Sequence, residues 1–371
     1  MDINVKVDNR IMVRAFYLFF IITSIQTGVG TMGAPRYIYK FAHQDSWVSI
    51  LLAHGFIMIT VAVMFMILNQ YESADIFGIQ VDIFGHILGK LLGVIYVVYF
   101  GLVLVSVLAT YIQVVQLFLY PTFPTYLLCI LILLLILYAV IGGIRVIVGV
   151  AFLFFLFSQV ILLLLYDPIT RMEWNHFLPM FQASPTDILQ GAKATTYTMG
   201  GFEMLFLLYP FIQNKKDAKL PTYLGVTHST FILLTTTIIL IGYFSLDYIT
   251  NLEFSLLTLF KSISFTFVER IDYFVVIEWL MIVLPNNILL LWGMSYGLNR
   301  LFNMNQKYSS YVIAVIIFIA VTLIKFDYQI LMFTNFISKI GFWIIFIYPF
   351  ILLPCVFIKK KWKKARGLDD L

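Results

Sequence analysis

Charged residues are scarce in this chain: Asp, Glu, Lys and Arg make up 12% of its 371 residues, against about 25% in soluble domains. That shortage leaves nothing with which to cover a water-soluble domain of any size, and it points to an integral membrane protein. Cysteine is almost absent. Cys129 and Cys355 both sit in apolar runs, which implies buried thiols and excludes a disulfide framework. His54 and His228 have no metal-ligand partners at useful spacing and read as structural. No P-loop or zinc spacing occurs, and no nucleophile elbow is expected. No cofactor or metal site, and no enzyme activity, is therefore expected. The N-terminus offers ten residues of which six are polar or charged, and then an overlong apolar segment without an A-x-A site, unlike a cleaved signal peptide.

Apolar residues make up 61% of the chain and aromatic residues 17%. Runs near the ~20 residues that span a bilayer recur from end to end. Ten membrane helices are expected, five of them at about Ile11–Phe41, Trp47–Asn69, Ile87–Phe118, Thr125–Gly143 and Arg145–Tyr166. Five more follow at about Thr186–Ile212, Thr222–Phe244, Ile271–Arg300, Ser309–Lys325 and Phe333–Lys359. With the N-terminus inside, about two thirds of the Lys and Arg residues fall at cytoplasmic ends, as the positive-inside rule requires. Both termini are then cytoplasmic, the second ending in the basic tail 359–371. The formal charge of +5 reflects this anchoring to the lipid bilayer, and no nucleic-acid partner is expected.

Three connections are more than turns. Tyr71–Gly89 interleaves Glu72, Asp75 and Asp82 with Ile76, Phe77, Ile79, Ile83 and Phe84, which predicts a short amphipathic helix lying on the cytoplasmic surface. Asp247–Arg270 carries Leu252, Leu256, Leu259, Phe260 and Ile263 at helical spacing, so it either folds over the outer mouth of a cavity or packs as a surface helix. Asp167–Asp187, with three prolines, links two halves of five helices each. An odd number per half inverts the second, so repeats at about 11–166 and 186–359 form one inverted-repeat transmembrane domain. In that architecture the first helix of each half is discontinuous.

Both of those helices are interrupted. Ser24–Pro35 reads S-I-Q-T-G-V-G-T-M-G-A-P, and Met199–Pro210 reads M-G-G-F-E-M-L-F-L-L-Y-P. Each glycine lowers helix preference by about 1 kcal/mol, and unwound backbone survives in a membrane only where it faces protein or a wet cavity. At the first break the N–H groups around Thr27, Gly28, Val29, Gly30 and Thr31 would open a half-helix whose positive end favours a carboxylate. The alternative is a packing notch. At the second, Gly200, Gly201 and Phe202 offer carbonyls for an ammonium group, with Phe202 as an apolar lid. Together the breaks suit an amino acid or similarly small polar nutrient. Glu203 is costly at mid-bilayer; it touches ligand, bonds backbone N–H groups of the half-helix or pairs with a base. Tyr99 and Val103, one turn apart, are candidates for the cavity wall, with simple packing as the alternative, and the same holds for Tyr96. Pro285, Asn286 and Asn287 are expected to interrupt the eighth helix and present amides to the cavity, or merely to satisfy a proline kink. Glu278 and Lys193 are intramembrane charges with no assigned partner.

The chain resembles the B subunit of spore germination nutrient receptors, a branch of the amino acid–polyamine–organocation superfamily, over essentially its whole length. The resemblance rests on Gln26, Gly28, Gly30, Thr31 and Pro35, then H-Q-D-S-W-V-S at His43–Ser49 and G-K-L-L-G at Gly89–Gly93. It continues with G-F-E at Gly201–Glu203 and F-V-E-R-I-D-Y-F at Phe267–Phe274, leading to Trp279. The sequence departs from the pattern at Thr122–Pro124, which reads T-F-P, and at Pro285–Asn287, where a small hydroxyl-bearing stretch is expected. The resemblance implies an all-α LeuT-type fold and a nutrient sensor in the inner membrane of a dormant spore. It also implies two partners, a membrane A subunit and a C lipoprotein. A proton-coupled amino acid permease is the competing expectation, motivated by Glu203 and the fold.

Overall fold

Backbone N–H and C=O groups in hydrocarbon must be paired within the chain, so apolar runs of this length fold as helices. The computed structural model describes residues 1–244, 246–263 and 270–365, with backbone alone for 246 and 247. Phe267, Val268 and Glu269 of the F-V-E-R-I-D-Y-F stretch and Arg366 of the tail lie outside the described residues. Before the central link come α1 (Tyr17–Gln26), α2 (Gly30–Ala42), α3 (Ser46–Leu68), α4 (Ile76–Phe118), α5 (Thr125–Ile141), α6 (Ile144–Ser158), α7 (Val160–Leu164) and α8 (Tyr166–Thr170). After it come α9 (Pro185–Ala194), α10 (Thr196–Met199), α11 (Leu205–Leu208), α12 (Lys219–Tyr243), α13 (Leu246–Ile249) and α14 (Ser255–Lys261). The last four are α15 (Ile271–Phe302), α16 (Gln306–Leu323), α17 (Asp327–Gly341) and α18 (Tyr348–Ala365).

Among the described residues, seven helical stretches are long and apolar enough to cross a membrane, and α1 and α5 are shorter apolar helices. They do not map one to one onto the ten expected spans. The first and sixth expected spans are each divided, α2 reverses into α3 at His43 (φ 47°), and α17 continues into α18 through a π-helical turn at Phe342–Ile347. The eighth span is a correction. Pro285 lies inside α15, which runs unbroken from Ile271 to Phe302. That helix also contains G-M-S-Y-G at Gly293–Gly297, the spacing of a nucleophile elbow. It sits mid-helix, with the Ser295 hydroxyl bonded to Trp292 O at 3.0 Å, so it is a packing segment.

Pairing of α4 with α15 forms the centre of the bundle. Small residues set their separation: a Cβ at Gly101 would lie 2.8 Å from Met294 Cε, and one at Gly297 would lie 2.6 Å from Val97. Asp45 and Ser49 of the H-Q-D-S-W-V-S stretch bind the start of the second half. The buried Asp45 carboxylate accepts the N–H groups of Phe181 (2.7 Å) and Ala183 (3.0 Å), and Ser49 donates to Ile188 O (2.9 Å). Arg270 and Asp272 form a two-point ion pair (3.0 and 2.8 Å), with the guanidinium 4.1 Å over the Tyr273 ring.

The expected surface helix after α3 is a second correction, because Ile76–Phe84 is built into the core. Ile76, Phe77, Ile79 and Gln80 are fully buried. The chain turns at Gly85 (φ 79°) and doubles back so tightly that a Cβ at Gly89 would sit 2.5 Å from the Val81 backbone, which accounts for the first glycine of G-K-L-L-G. Its acids have partners that a single segment cannot reveal. Asp75 caps Gly78 (2.7 Å) and also accepts from Tyr296 and Arg300 (both 2.6 Å). Asp82 accepts from Tyr71 (2.9 Å) and Lys363 (2.6 Å). Burial, with Asp82 beside it, pushes the Tyr71 phenol well above its usual range and keeps it a donor.

Asp75 is fully buried, and removing one member of a buried pair leaves an uncompensated charge, at a cost of about 3–5 kcal/mol. Arg300→Gln should therefore lower the melting temperature of the purified protein sharply. Adding Asp75→Asn should recover part of the loss. An unchanged melting temperature for Arg300→Gln would show that the pair does not hold this end of the bundle together.

Candidate functional site

Helix α1 stops at Gln26, three residues pass without helical pairing, and α2 begins at Gly30. The N–H groups of Gly28, Val29 and Gly30 have no backbone partner among the described residues, so the positive end of a 13-residue helix is open. Opposite it, α10 ends at Met199 and the chain passes through extended Gly200 and left-handed Gly201 (φ 102°) before Phe202. Only glycine adopts such a conformation at little cost. The two breaks touch. Gln26 Nε2 donates to Met199 O at 2.7 Å, a Cβ on Gly30 would meet Thr198 Oγ1 at 2.7 Å, and one on Gly201 would meet Ile25 at 2.8 Å. From α15, Asn286 Nδ2 donates to Ile25 O at 3.0 Å, closing the carbonyl end of α1.

Glu203 takes one of its expected roles. Its buried carboxylate accepts the Gly201 N–H at 2.7 Å, so it bonds the backbone entering the second half-helix. No basic partner for it is present among the described residues.

Between the breaks lies a void of about 40 Å³, room for a few waters. Of the residues singled out from sequence, Gly28, Val29, Gly30, Tyr99, Val103, Gly200, Gly201, Glu203 and Asn286 line it. Thr27, Thr31, Phe202, Pro285 and Asn287 do not. The Thr27 hydroxyl bonds back to Thr23 O (2.7 Å), and Phe202 packs edge-on against Phe346 at 5.4 Å. Tyr96 donates to Ile344 O at 3.4 Å. Asn287 is fully buried, and its amide has no partner among the described residues. The buried Gln26 Oε1, Thr31 Oγ1 and Asn286 Oδ1 are likewise unpaired there. Of these residues Asn286 lines the void, and its open oxygen is an unsatisfied acceptor that packing alone does not explain.

Several wall residues escape the sequence reading. T-Y-T at Thr196–Thr198 is one of them, and its place just before the second break is the signal that could have found it. Ile337, Ser338 and Gly341 of α17 carry no local signal.

The void borders a vestibule of about 480 Å³, within the ~300–1,000 Å³ range of small-molecule sites. Val29, Gly30, Tyr197, Thr198 and Ser338 line both spaces. Tyr197 stands between them, its hydroxyl 2.8 Å from Ser106 Oγ, which is 2.8 Å from Thr334 Oγ1. Lys40, Lys193 and Lys339 face the vestibule with Glu253, which accepts from Gln113 at 3.2 Å. Lys193, unassigned from sequence, lies 5.0 Å over the Phe342 ring. From the expected Asp247–Arg270 connection, Glu253 and Phe254 line this vestibule, while α14 packs through buried Leu256, Leu259 and Phe260. At the other end of α4, chain pairing of Val13 with Phe211 and Gln213 (2.8 and 3.0 Å) and the Asp75–Arg300 pair close the bundle.

The family described as spore germination protein (spore permease) matches residues 12–330. The chain belongs to this family. Spore germination protein GerQB of Bacillus cereus is 30% identical over 93% of this chain and 95% of its own length. Spore germination protein YndE of Bacillus subtilis (strain 168) is 22% identical over the same shares. Among solved structures, a substrate-bound outward-open Na⁺-coupled sialic acid symporter aligns with a TM-score of 0.64 and 14% identity, over 89% of this chain and 76% of that one. A closed nucleobase-cation-symport-1 transporter aligns at 0.58 and 12%, over 92% and 81%. At such identities the likeness is of fold alone, and it places this member of the spore germination family in the LeuT-type class of membrane proteins.

Gly201→Ala should destabilise the protein by about 1–3 kcal/mol, through a left-handed non-glycine residue and contact with Ile25. Glu203→Gln keeps an acceptor for the Gly201 N–H and should melt near wild type, whereas Glu203→Leu removes it and should cost about 1–3 kcal/mol. Equal melting temperatures for the Gln and Leu variants would refute the capping role.

Proposed function

We propose that this protein is the nutrient-binding B-type subunit of a spore germination receptor, taking an amino acid or similarly small polar nutrient between its two broken helices. The observation that carries this reading is the set of unpaired N–H groups at Gly28–Gly30, facing the carbonyl side of Thr196–Gly201 across one void. A ligand carboxylate would sit at the positive end of α2, and its ammonium would take the opposite carbonyls. The void as it stands is too small for an amino acid, so binding requires the Tyr197 partition to move and merge void with vestibule. The three vestibule lysines favour entry of a carboxylate. On this reading, repeats at about 11–166 and 186–359 are inverted, and both termini are cytoplasmic in the spore inner membrane. A and C subunits receive the signal. Nutrient shifts the conformational balance only by its differential affinity for the two states.

A second reading, a proton-coupled amino acid permease, is favoured by one observation: Glu203 is a carboxylate on the wall of the void with no cation beside it among the described residues. Uptake of labelled amino acids into proteoliposomes, driven by a pH gradient, would support it. Absence of uptake by a protein that binds nutrient would reject it.

Gly28→Ala places a methyl group 2.7 Å from Asn286 Nδ2. It should raise the nutrient concentration for half-maximal germination at least about tenfold, a loss near 1.4 kcal/mol, while the protein still accumulates in spore membranes. A wild-type dose response at wild-type abundance would overturn the pocket assignment.

A further inference from the structure

A groove of about 590 Å³ lies between the start of α1 and the first three turns of α6. It shares no lining residue with the void or the vestibule. Its polar members are Arg14, Arg145 and Gln213, and its floor is the edge-to-face pair of Tyr17 and Phe152 at 5.8 Å. Arg14 and Arg145 are both exposed, and neither guanidinium has an ion pair, hydrogen bond or ring partner among the described residues. Leu153, half exposed on the groove wall, continues into exposed Phe157 one turn further along α6, while Phe16 stands exposed beside Arg14. Two uncompensated guanidinium groups thus sit at the head of an apolar track on the outside of a membrane bundle.

We propose that this groove binds an anionic phospholipid. Its phosphate lies between Arg14 and Arg145, and its acyl chain lies along Leu153 and Phe157. Guanidinium groups match phosphate oxygens in two-point hydrogen bonds, and basic pockets between membrane helices select anionic head groups. A zwitterionic lipid brings its own cation and leaves one of the two arginines unmatched. Charge complementarity supplies the preference, and the apolar track supplies a place for a chain, which a free anion does not need.

The test uses the full-length protein, delipidated in neutral detergent, then given dioleoyl phosphatidylglycerol or dioleoyl phosphatidylcholine. Bound lipid is counted by native mass spectrometry and the melting temperature is followed in parallel. Phosphatidylglycerol should bind at least about tenfold more tightly than phosphatidylcholine and raise the melting temperature. Chain-free glycerophosphoglycerol should not compete. Arg14→Gln with Arg145→Gln should abolish the preference. Gly149→Leu, which keeps both charges but fills open space on the groove wall, should also lower phosphatidylglycerol binding, so the test survives if the double variant fails to fold. Equal binding of the two lipids, an undiminished preference in the double arginine variant, undiminished phosphatidylglycerol binding in Gly149→Leu, or full competition by glycerophosphoglycerol would each overturn the assignment.

Discussion

Every peptide group removed from water must find a partner, and the helical ladder that meets most of that requirement is broken where α1 meets α2 and where α10 meets Gly201. There the helical ladder ends inside the bundle, and side chains take over part of its work. Gln26 answers the carbonyl of Met199, Asn286 answers that of Ile25, and Glu203 answers the N–H of Gly201. These bonds, at 2.7, 3.0 and 2.7 Å, keep two unwound segments in register without closing every group. The N–H groups of Gly28–Gly30 and the oxygens of Gln26, Thr31 and Asn286 stay open. Each such buried group costs about 1–3 kcal/mol, and of the three oxygens that of Asn286 belongs to a residue lining the void.

The rest of the bundle is asymmetric about that site. On the vestibule side, α4, α10 and α17 meet through the hydroxyls of Ser106, Tyr197 and Thr334, contacts that can exchange with water at small cost. On the opposite side, a buried carboxylate bonded to Arg300 and Tyr296, a returning strand-like N-terminus, and the stacked Trp292–Tyr296 pair (5.2 Å) close the path in depth. One end held by hydroxyl contacts and the other by a buried ion pair is an asymmetry that, on the proposed reading, would let a nutrient enter from the vestibule side.

Much of this was legible in the amino-acid sequence because the physics of a membrane helix is local. Apolar runs reported a bundle of membrane helices, though not its ten spans one by one, and glycines at Gly28, Gly30, Gly200 and Gly201 reported the breaks, since neither needs knowledge of a partner. What stayed hidden was pairwise. Asp75 and Asp82 looked like the polar face of a surface helix because Arg300 and Lys363, more than 200 residues away, supply the charge that lets them be buried. Pro285 looked like a break, yet α15 continues through it and packs against α4. Asn286 was found and Asn287 beside it faces elsewhere, a distinction set by helix rotation. The contributions of Tyr197 and Gly341 depend on how α10 and α17 are brought against α4, which no single segment encodes.

The central claim is that the two breaks lie face to face. Its most direct test is oxidative cross-linking of Gly30→Cys with Thr198→Cys, in a background where Cys129 and Cys355 are replaced by serine. The Gly30 Cβ position lies 3.1 Å from Thr198 Cα, within the reach of a disulfide. Rapid intramolecular cross-linking, as efficient as that of the Ser49→Cys and Gly191→Cys control pair, is the predicted result. A control that cross-links while the 30–198 pair stays reduced would contradict the account.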